Sequence, residues 1–321
     1  MLIDTFGRQI EYIRVSVTKQ CNFRCQYCMP NTPDDFTDTS SLVPLDKMLE
    51  FLKIAIDKGI KKIRFTGGEP LLRPDLTDFI QQIHHYAPEV ELALTTNGYF
   101  LEKYAQKLKD SGIRRLNISL DSLQAHKVQL ISKRDVLPQV LKGIHTAKEV
   151  GIPIKINMVP LKGINDDEIV AMLNFCIENH FQMRYIEYME NTHANATITG
   201  LSEAEILQTI SQAHSFAPLE KHSLGPAKNY QLTNGAVFGI IAPHNDDFCK
   251  SCNRVRLTSE GVICPCLYYQ DAVEVRDAML SGDKAKMQEA LLLSVKNKPE
   301  KNQWDHQKNE HSARAFYYTG G

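Results

Sequence analysis

Three cysteines near the N-terminus, Cys21, Cys25 and Cys28, stand in the run Cys-Asn-Phe-Arg-Cys-Gln-Tyr-Cys, a C-x3-C-x2-C spacing. Cysteine thiolates ligate iron–sulfur clusters, and three of them can hold three irons of a [4Fe–4S] cube while the fourth iron stays open to chemistry. Zinc, a redox pair with a spare thiol and a disulfide framework are the competing readings. Zinc sites space their paired ligands by roughly two to four residues and need a fourth ligand nearby. No His follows at such a spacing, and the next cysteine is Cys176. A second set lies far downstream, where Cys249-Lys-Ser-Cys252 leads to Cys264-Pro-Cys266. On spacing alone this set reads as a zinc ribbon or as a second three-thiolate cluster site. Arg254 and Arg256 lie between its halves. On a strand they share one face, and their forked guanidiniums suit phosphate oxygens. Their bland role is a pair of solvated surface cations.

Such groups need a frame. From about residue 13 to 213, β-branched runs alternate with stretches of helical period. Strands are expected at 13–18, 62–66, 91–96, 115–120, 153–159 and 183–189, and helices near 45–58, 75–86, 101–111, 137–150, 166–179 and 202–214. Strand–helix alternation implies parallel strands with right-handed crossovers. Six such units fall two short of a closed (β/α)8 barrel, and an open doubly wound sheet is the alternative from pattern alone. In a parallel barrel, chemistry sits at the C-terminal strand ends. The first cysteine run follows strand one, and Thr66-Gly67-Gly68-Glu69-Pro70 ends strand two. Paired glycines let backbone approach a ligand closely, or simply form a tight turn. Other strand ends carry Thr95-Thr96-Asn97-Gly98, Ser119 with Asp121, and Glu187 with Met189, while Asn157 lies inside strand five. Each could be a cap or turn residue; together they make a ligand-facing rim.

The pattern changes after about residue 216. Segments 228–233 and 236–241 flank Asn234-Gly235, a hairpin signal, and 254–258 and 262–267 flank a second turn. Helices are expected at 271–280 and 283–295, and 296–312 reads as a polar loop. The division is therefore 1–215, a partial barrel, and 216–321, a smaller α+β domain. A net charge of −1 gives no reason to expect nucleic acid or an anionic membrane. No apolar run spans a bilayer, and the N-terminus lacks a signal-peptide pattern. Eight cysteines in 321 residues are too sparse for a disulfide scaffold. Cys176, beside Phe175 and Ile177, reads as core. Neither a P-loop nor a G-x-G-x-x-G turn is present.

The first cysteine run resembles the signature of radical S-adenosylmethionine (SAM) enzymes, and Gly67-Gly68-Glu69-Pro70 resembles their SAM-holding loop. The likeness narrows when the whole chain is read. Phe6-Gly7-Arg8, Arg14-Val-Ser-Val-Thr18, Asn117-Ile-Ser-Leu-Asp121, Lys155-Ile-Asn157, Lys162-Gly-Ile-Asn165 and Arg184-Tyr-Ile-Glu-Tyr-Met189 join the cysteine runs and a terminal Gly320-Gly321. Together they resemble the GTP 3',8-cyclases of molybdenum-cofactor biosynthesis, the MoaA family.

That resemblance implies an incomplete (β/α)6 barrel and two [4Fe–4S] clusters. The first would sit on Cys21, Cys25 and Cys28, and the second on Cys249, Cys252 and Cys266, with guanine at its open iron. Cys264 has no counterpart in the family pattern. SAM contacts carried over are Tyr27, Gly68, Ser119 and Met189. GTP contacts carried over are Arg14, Arg64, Thr95, Lys155, Arg254 and Arg256. Gly320 and Gly321 would thread into the active site, although a frayed end is the plain alternative. The family activity opens with abstraction of the ribose 3' hydrogen of GTP by a 5'-deoxyadenosyl radical and closes the ring onto C8. It implies an external one-electron reductant, hand-over of product to a cyclic pyranopterin monophosphate synthase, a cytoplasmic setting, and a monomer or homodimer. Phe316-Tyr-Tyr-Thr before the tail and a short stretch at 190–199 depart from the pattern. The nearest enzyme alternative is a radical SAM peptide-modifying maturase, and a zinc-ribbon binding protein is the non-enzyme one.

Overall fold

In the computed structural model of the chain, which describes residues 1–29, 40–190, 197–220, 225–245, 247–267, 271–301 and 316–320, all six expected strands form. They are β1 (Tyr12–Ser16), β2 (Lys62–Thr66), β3 (Glu91–Thr96), β4 (Arg115–Ser119), β5 (Ile154–Met158) and β6 (Gln182–Ile186). They pair in parallel in chain order. Their outward residues, among them Ile13, Val15, Ile63, Phe65, Leu94, Ile118 and Ile156, are fully buried in one apolar core. Helices α1 (Leu45–Asp57), α2 (Leu76–Tyr86), α3 (Leu101–Asp110), α4 (Ala125–Ser132), α5 (Leu137–Glu149), α6 (Ile169–Asn179) and α7 (Glu203–Ser211) cover that face. Helix α7 opens on a capping box between Ser202 and Glu205, which satisfies N-terminal N–H groups that would otherwise lack partners.

The C-terminal segment extends the same sheet. Its strands are β7 (Phe216–Leu219), β8 (Lys228–Leu232), β9 (Val237–Ile241), β10 (Arg254–Leu257), β11 (Val262–Cys264) and β12 (Val273–Glu274). The sheet order is β12-β11-β10-β1-β2-β3-β4-β5-β6-β9-β8-β7. Strands β9 and β10 run parallel to β6 and β1, so eight parallel strands lie side by side. Residues 242–253 carry the chain from the end of β9 to the start of β10 and include α8 (Asp247–Lys250). Because β9 ends beside Ile186 and β10 starts beside Tyr12, this connection descends from the C-terminal rim to the opposite end of the barrel. Helices α9 (Arg276–Ser281), α10 (Lys284–Lys296) and α11 (Phe316–Thr319) complete the described α-helices.

Several expected elements differ. Segment 271–280 is not one helix: Val273 pairs with Ile263 in β12, and only Arg276–Ser281 is helical. Strand β11 stops at Cys264, short of 267, because Pro265 has no N–H for a ladder. Strand β7 was not expected; it lies at the sheet edge and accommodates Pro218 there. Helix α4 was also unexpected, because two turns give too few repeats for a helical period. The polar loop expected at 296–312 lies largely outside the described residues, as do 191–196 and Gly321. Cys176 is core as read, its thiol 3.6 Å from the Met183 sulfur. Among the described residues, no helix is long and apolar enough to cross a membrane.

Candidate active site

Many inward residues of the eight parallel strands are polar, unlike their outward neighbours, although Ala93, Ile186, Gly239 and Ile241 also face inward. Register places Arg254, Tyr12 and Lys62 in one row and Arg256, Arg14 and Arg64 in the next. Farther round, Arg115, Lys155 and Arg184 complete a belt of eight cations with Arg14, Lys62, Arg64, Arg254 and Arg256. Glu91 answers two of them, 3.0 Å from Lys62 and 2.6 Å from Arg115. Burial and neighbouring cations disfavour the charge of four others, Lys155, Arg184, Arg256 and Arg64. Burial, then neighbouring cations, brings Lys155 down to about 7 and Arg184 to about 10. Burial with the Arg14 and Arg254 charges brings Arg256 to about 9. Burial also holds Arg64 well below the usual guanidinium range. The Tyr12 ring lies under three of these groups, its centroid 6.0 Å from Arg14, 5.3 Å from Lys62 and 5.5 Å from Arg64. Burial alone would raise the Tyr12 pKa, but Arg64, Arg14 and Lys62 outweigh it and bring it to about 7.

The barrel encloses a cavity of about 280 Å³ lined by residues of both cysteine sets. Inside it, Nε of Arg14, Arg64 and Arg184, Thr95 Oγ1, Asn157 Oδ1 and Glu187 Oε2 are buried and lack hydrogen-bond partners among the described residues. Buried polar atoms without partners are costly, so a polar, anionic ligand fits this lining. Of the six expected GTP contacts, Arg14, Arg64, Thr95, Arg254 and Arg256 line the cavity. Lys155 faces the barrel interior between Asn117 and Gln182 without lining it. All four expected SAM contacts, Tyr27, Gly68, Ser119 and Met189, line it too.

The first trio sits at the C-terminal rim, in the loop after β1. The turn after β2 holds that loop from below. The Gly68 N–H donates to Thr18 O at 2.8 Å, and the Glu69 N–H donates to Gln20 O at 2.7 Å. A Cβ on Gly67 would overlap Thr18 O, and one on Gly68 would overlap Gln20 O. The close approach these glycines permit is thus made first to the chain's own cysteine loop. The Glu69 carboxylate accepts from Leu71 N, Thr96 Oγ1 and Asn97 N, and Asn97 reaches Asn22 of the loop at 2.8 Å. Tyr27 donates to Asp121 at 2.7 Å, and Asp121 also accepts from Val159 N. Burial pushes the thiols up, Cys21 to about 11 and Cys28 to about 12; Asp121 and the other two thiols add to it at Cys25. Ionising all three therefore needs a cationic centre among them.

The second trio lies at the other end. Cys249 and Cys252 precede β10, which enters the barrel beside Tyr12. Cys266 follows β11, which runs antiparallel to β10 and so ends at the same level. All six expected ligands line the cavity, whereas Cys264 is fully buried and does not. Cys252 is unlike the first trio: burial raises its pKa, but Arg254 and Lys298 bring it down to about 5. Arg254 Nη2 stands 3.6 Å from its sulfur. Among the described residues no three His, Cys, Asp or Glu side chains converge on one point as a metal ion would need. A three-thiolate cube asks for a different arrangement, each sulfur meeting its own iron.

The tail is docked rather than frayed as far as Gly320. Thr319 and Gly320 are buried, and Arg256 donates to both carbonyl oxygens. Gly320 packs on Thr66 at φ +73°, where an added Cβ would overlap the threonine methyl. Sequence reasoning missed Tyr12, Lys62, Arg115, Arg184 and Lys298 as parts of this site. The available signal was charge at alternate positions of parallel strands, which ordinarily read as continuous apolar runs.

Comparison with known proteins adds the lineage. A family model described as the Radical SAM superfamily matches residues 15–176, and one described as Molybdenum Cofactor Synthesis C matches 181–304. The GTP 3',8-cyclase of Helicobacter pylori strain 26695 is 56% identical over 321 residues, the whole of both chains. That of Sulfurovum sp. strain NBC37-1 is 49% identical over 326 residues, again the whole of both. Among solved structures, Streptococcus suis SuiB bound to S-adenosylmethionine matches with a TM-score of 0.64 at 18% identity, over 84% of this chain and 64% of that one. The chain thus spans just under two thirds of SuiB. The protein anSMEcpe with bound AdoMet matches at 0.59 and 15% identity, over 89% of this chain and 80% of that one. These two likenesses speak for the fold. Full-length identity at this level, with both family models in order along it, means that the chain belongs to the GTP 3',8-cyclase family of the radical SAM superfamily.

Proposed function

We propose that the chain converts GTP to (8S)-3',8-cyclo-7,8-dihydroguanosine 5'-triphosphate, the first step of molybdopterin biosynthesis. One observation carries the reading: a cation belt lies between two cysteine trios that open on one cavity. A triphosphate brings about four negative charges near neutral pH, which the mutually repelling cations lack. The donor sets fit the groups the family implies, with three soft thiolates in each trio and no carboxylate among the ligands. Cys21, Cys25 and Cys28 would hold the [4Fe–4S] cluster that reductively cleaves SAM to give a hydrogen-abstracting carbon radical.

This chain's own residues orient and enclose. Tyr27, fixed by Asp121, and Gly68, Ser119 and Met189 hold SAM at the rim. Arg14, Arg64, Thr95, Lys155, Arg254 and Arg256 hold the nucleotide, with Lys62 and Arg184 completing the charge. Cys249, Cys252 and Cys266 would hold a second [4Fe–4S] cluster facing the base, so the ribose points toward the rim. The tail, docked as far as Gly320, would narrow the cavity and keep water from a radical. Residues 1–215 would thus supply the radical-forming half and 216–321 the base-binding half. An external one-electron reductant, transfer of product to a cyclic pyranopterin monophosphate synthase, a cytoplasmic setting and a monomeric or homodimeric state belong to the same proposal.

The test is anaerobic incubation with SAM, reductant and GTP deuterated at the ribose 3' position. Deuterium in 5'-deoxyadenosine together with the cyclised nucleotide is expected. Unlabelled 5'-deoxyadenosine with no nucleotide product would overturn the assignment.

A further inference from the structure

Lys298 is nearly inaccessible, at 3% exposure, yet it faces the cavity beside the second cysteine trio. It follows α10 in a stretch that reads from sequence as a featureless polar loop. Its ammonium donates to Arg254 O and Pro265 O, each at 2.9 Å. Arg254 lies two residues after Cys252, and Pro265 lies immediately before Cys266. One side chain therefore joins the two backbone segments that present these thiols. Arg8 holds the same turn from outside, donating to Cys249 O at 2.9 Å, Glu300 O at 2.8 Å and Pro299 O at 2.6 Å.

Both acceptors of Lys298 are neutral carbonyls. A buried charge without an anionic partner is costly, and a full ammonium here needs negative charge close by. Its two acceptors lie on the segments that present Cys252 and Cys266, so the negative charge of a cluster on the second trio would stand beside it. Three thiolates on a [4Fe–4S] core carry one net negative charge when the core is oxidised and two when it is reduced. Cluster potentials respond to net charge and to groups around the sulfurs, so a fixed cation here favours the reduced state.

We propose that Lys298 is the positioning residue of the second cysteine trio, setting the separation of Cys252 and Cys266 and raising the reduction potential of the cluster they hold. This rests on the reading of that trio as a cluster site. The test uses the full chain, anaerobically reconstituted, with iron and sulfide counting and EPR-monitored redox titration. A second titration, in a chain whose Cys21, Cys25 and Cys28 are Ala, isolates the signal of the second site. Lys298→Met should lose iron from that site, or keep it and be about ten-fold harder to reduce, which for one electron is about 59 mV. Lys298→Gln, with amide donors but no charge, should lower the potential, and Lys298→Arg should restore it. Reductant-driven SAM cleavage needs only the first trio and serves as the folding control. Full iron loading with unchanged potentials in Lys298→Met and Lys298→Gln would overturn the proposal. Zinc, or only about four irons, in the unaltered chain would instead overturn the cluster reading on which it rests.

Discussion

GTP binding should draw protons from solution, and the barrel says which groups take them. Lys155 sits at about 7 in the ligand-free belt because burial and four neighbouring cations disfavour its charge. A triphosphate reverses that field and restores the amine toward its ordinary value near 10.5. A group whose pKa rises on binding makes the complex bind more protons than the free chain, so affinity falls as pH rises between the two values. With a free-chain value of about 7, about nine-tenths of the amines are neutral at pH 8. Apparent Kd is then about ten-fold weaker than its low-pH limit, and about a hundred-fold weaker at pH 9. Tyr12 adds in the same direction, because a phenolate formed near 7 must be protonated before a polyanion is tolerable beside it. The γ-phosphate titrates near 6, so the diagnostic range is pH 7.5–9. Calorimetric titration at pH 8 in buffers of different ionisation enthalpy measures the uptake, with one to two protons expected. Lys155→Arg should remove about half of the pH dependence, and Tyr12→Phe the other half. A Kd constant within two-fold across that range, with heats independent of buffer, would refute the electrostatic reasoning.

Other expectations follow from the same geometry. Arg254→Ala with Arg256→Ala should abolish GTP cyclisation and leave reductant-driven SAM cleavage intact, since the first trio lies at the opposite end; product analysis by mass spectrometry decides it. Cys266→Ser should remove about four irons, whereas Cys264→Ser, buried and off the cavity, should remove none. Gly320→Ala places a methyl on Thr66 and costs about 1–2 kcal/mol in backbone conformation alone. It should lower turnover while SAM cleavage persists, and adding Thr66→Ser, which removes the opposing methyl, should recover part of the loss.

The fold was legible where a strand carried both an apolar outer face and a punctuated end. All six parallel strands of the first half formed where alternation placed them. What could not be read was which edges β9 and β10 would join. A hairpin signal such as Asn234-Gly235 is local, and it announces β8 with β9 but says nothing of β9 lying against β6. The site shows the same limit. Cysteine spacing announced ligands because a chelate has a short sequence signature. Tyr12, Lys62, Arg115 and Arg184 have none; they became a belt only when separate strands were set in register. Lys298 was hidden for a different reason. Its stretch has no period, and a tether of two carbonyls leaves no imprint on residue type.

Register also explains why one cavity can serve two small molecules without confusing them. The first trio follows β1, whereas Cys249 and Cys252 of the second precede β10, with Cys266 brought to the same level by antiparallel β11, and β1 and β10 are parallel neighbours. Two cysteine sets on adjacent parallel strands, one after and one before, must lie at opposite ends of the barrel. Between them stands the cation belt, which on the proposed reading is where an anionic nucleotide would lie. The same strands turn Ile13, Ile63 and Val255 outward into the core, which offsets the repulsion stored inside. A strand with period two carries both tasks at once, and that is why the charge could be placed so densely in a chain whose net charge is −1. The docked tail fits this scheme. Arg256, deep in the belt, holds Thr319 and Gly320 by their carbonyls, so these two residues reach the belt by meeting a cation with backbone dipoles. A side-chain carboxylate there would compete with phosphate for the belt, whereas a glycine brings a carbonyl and no bulk.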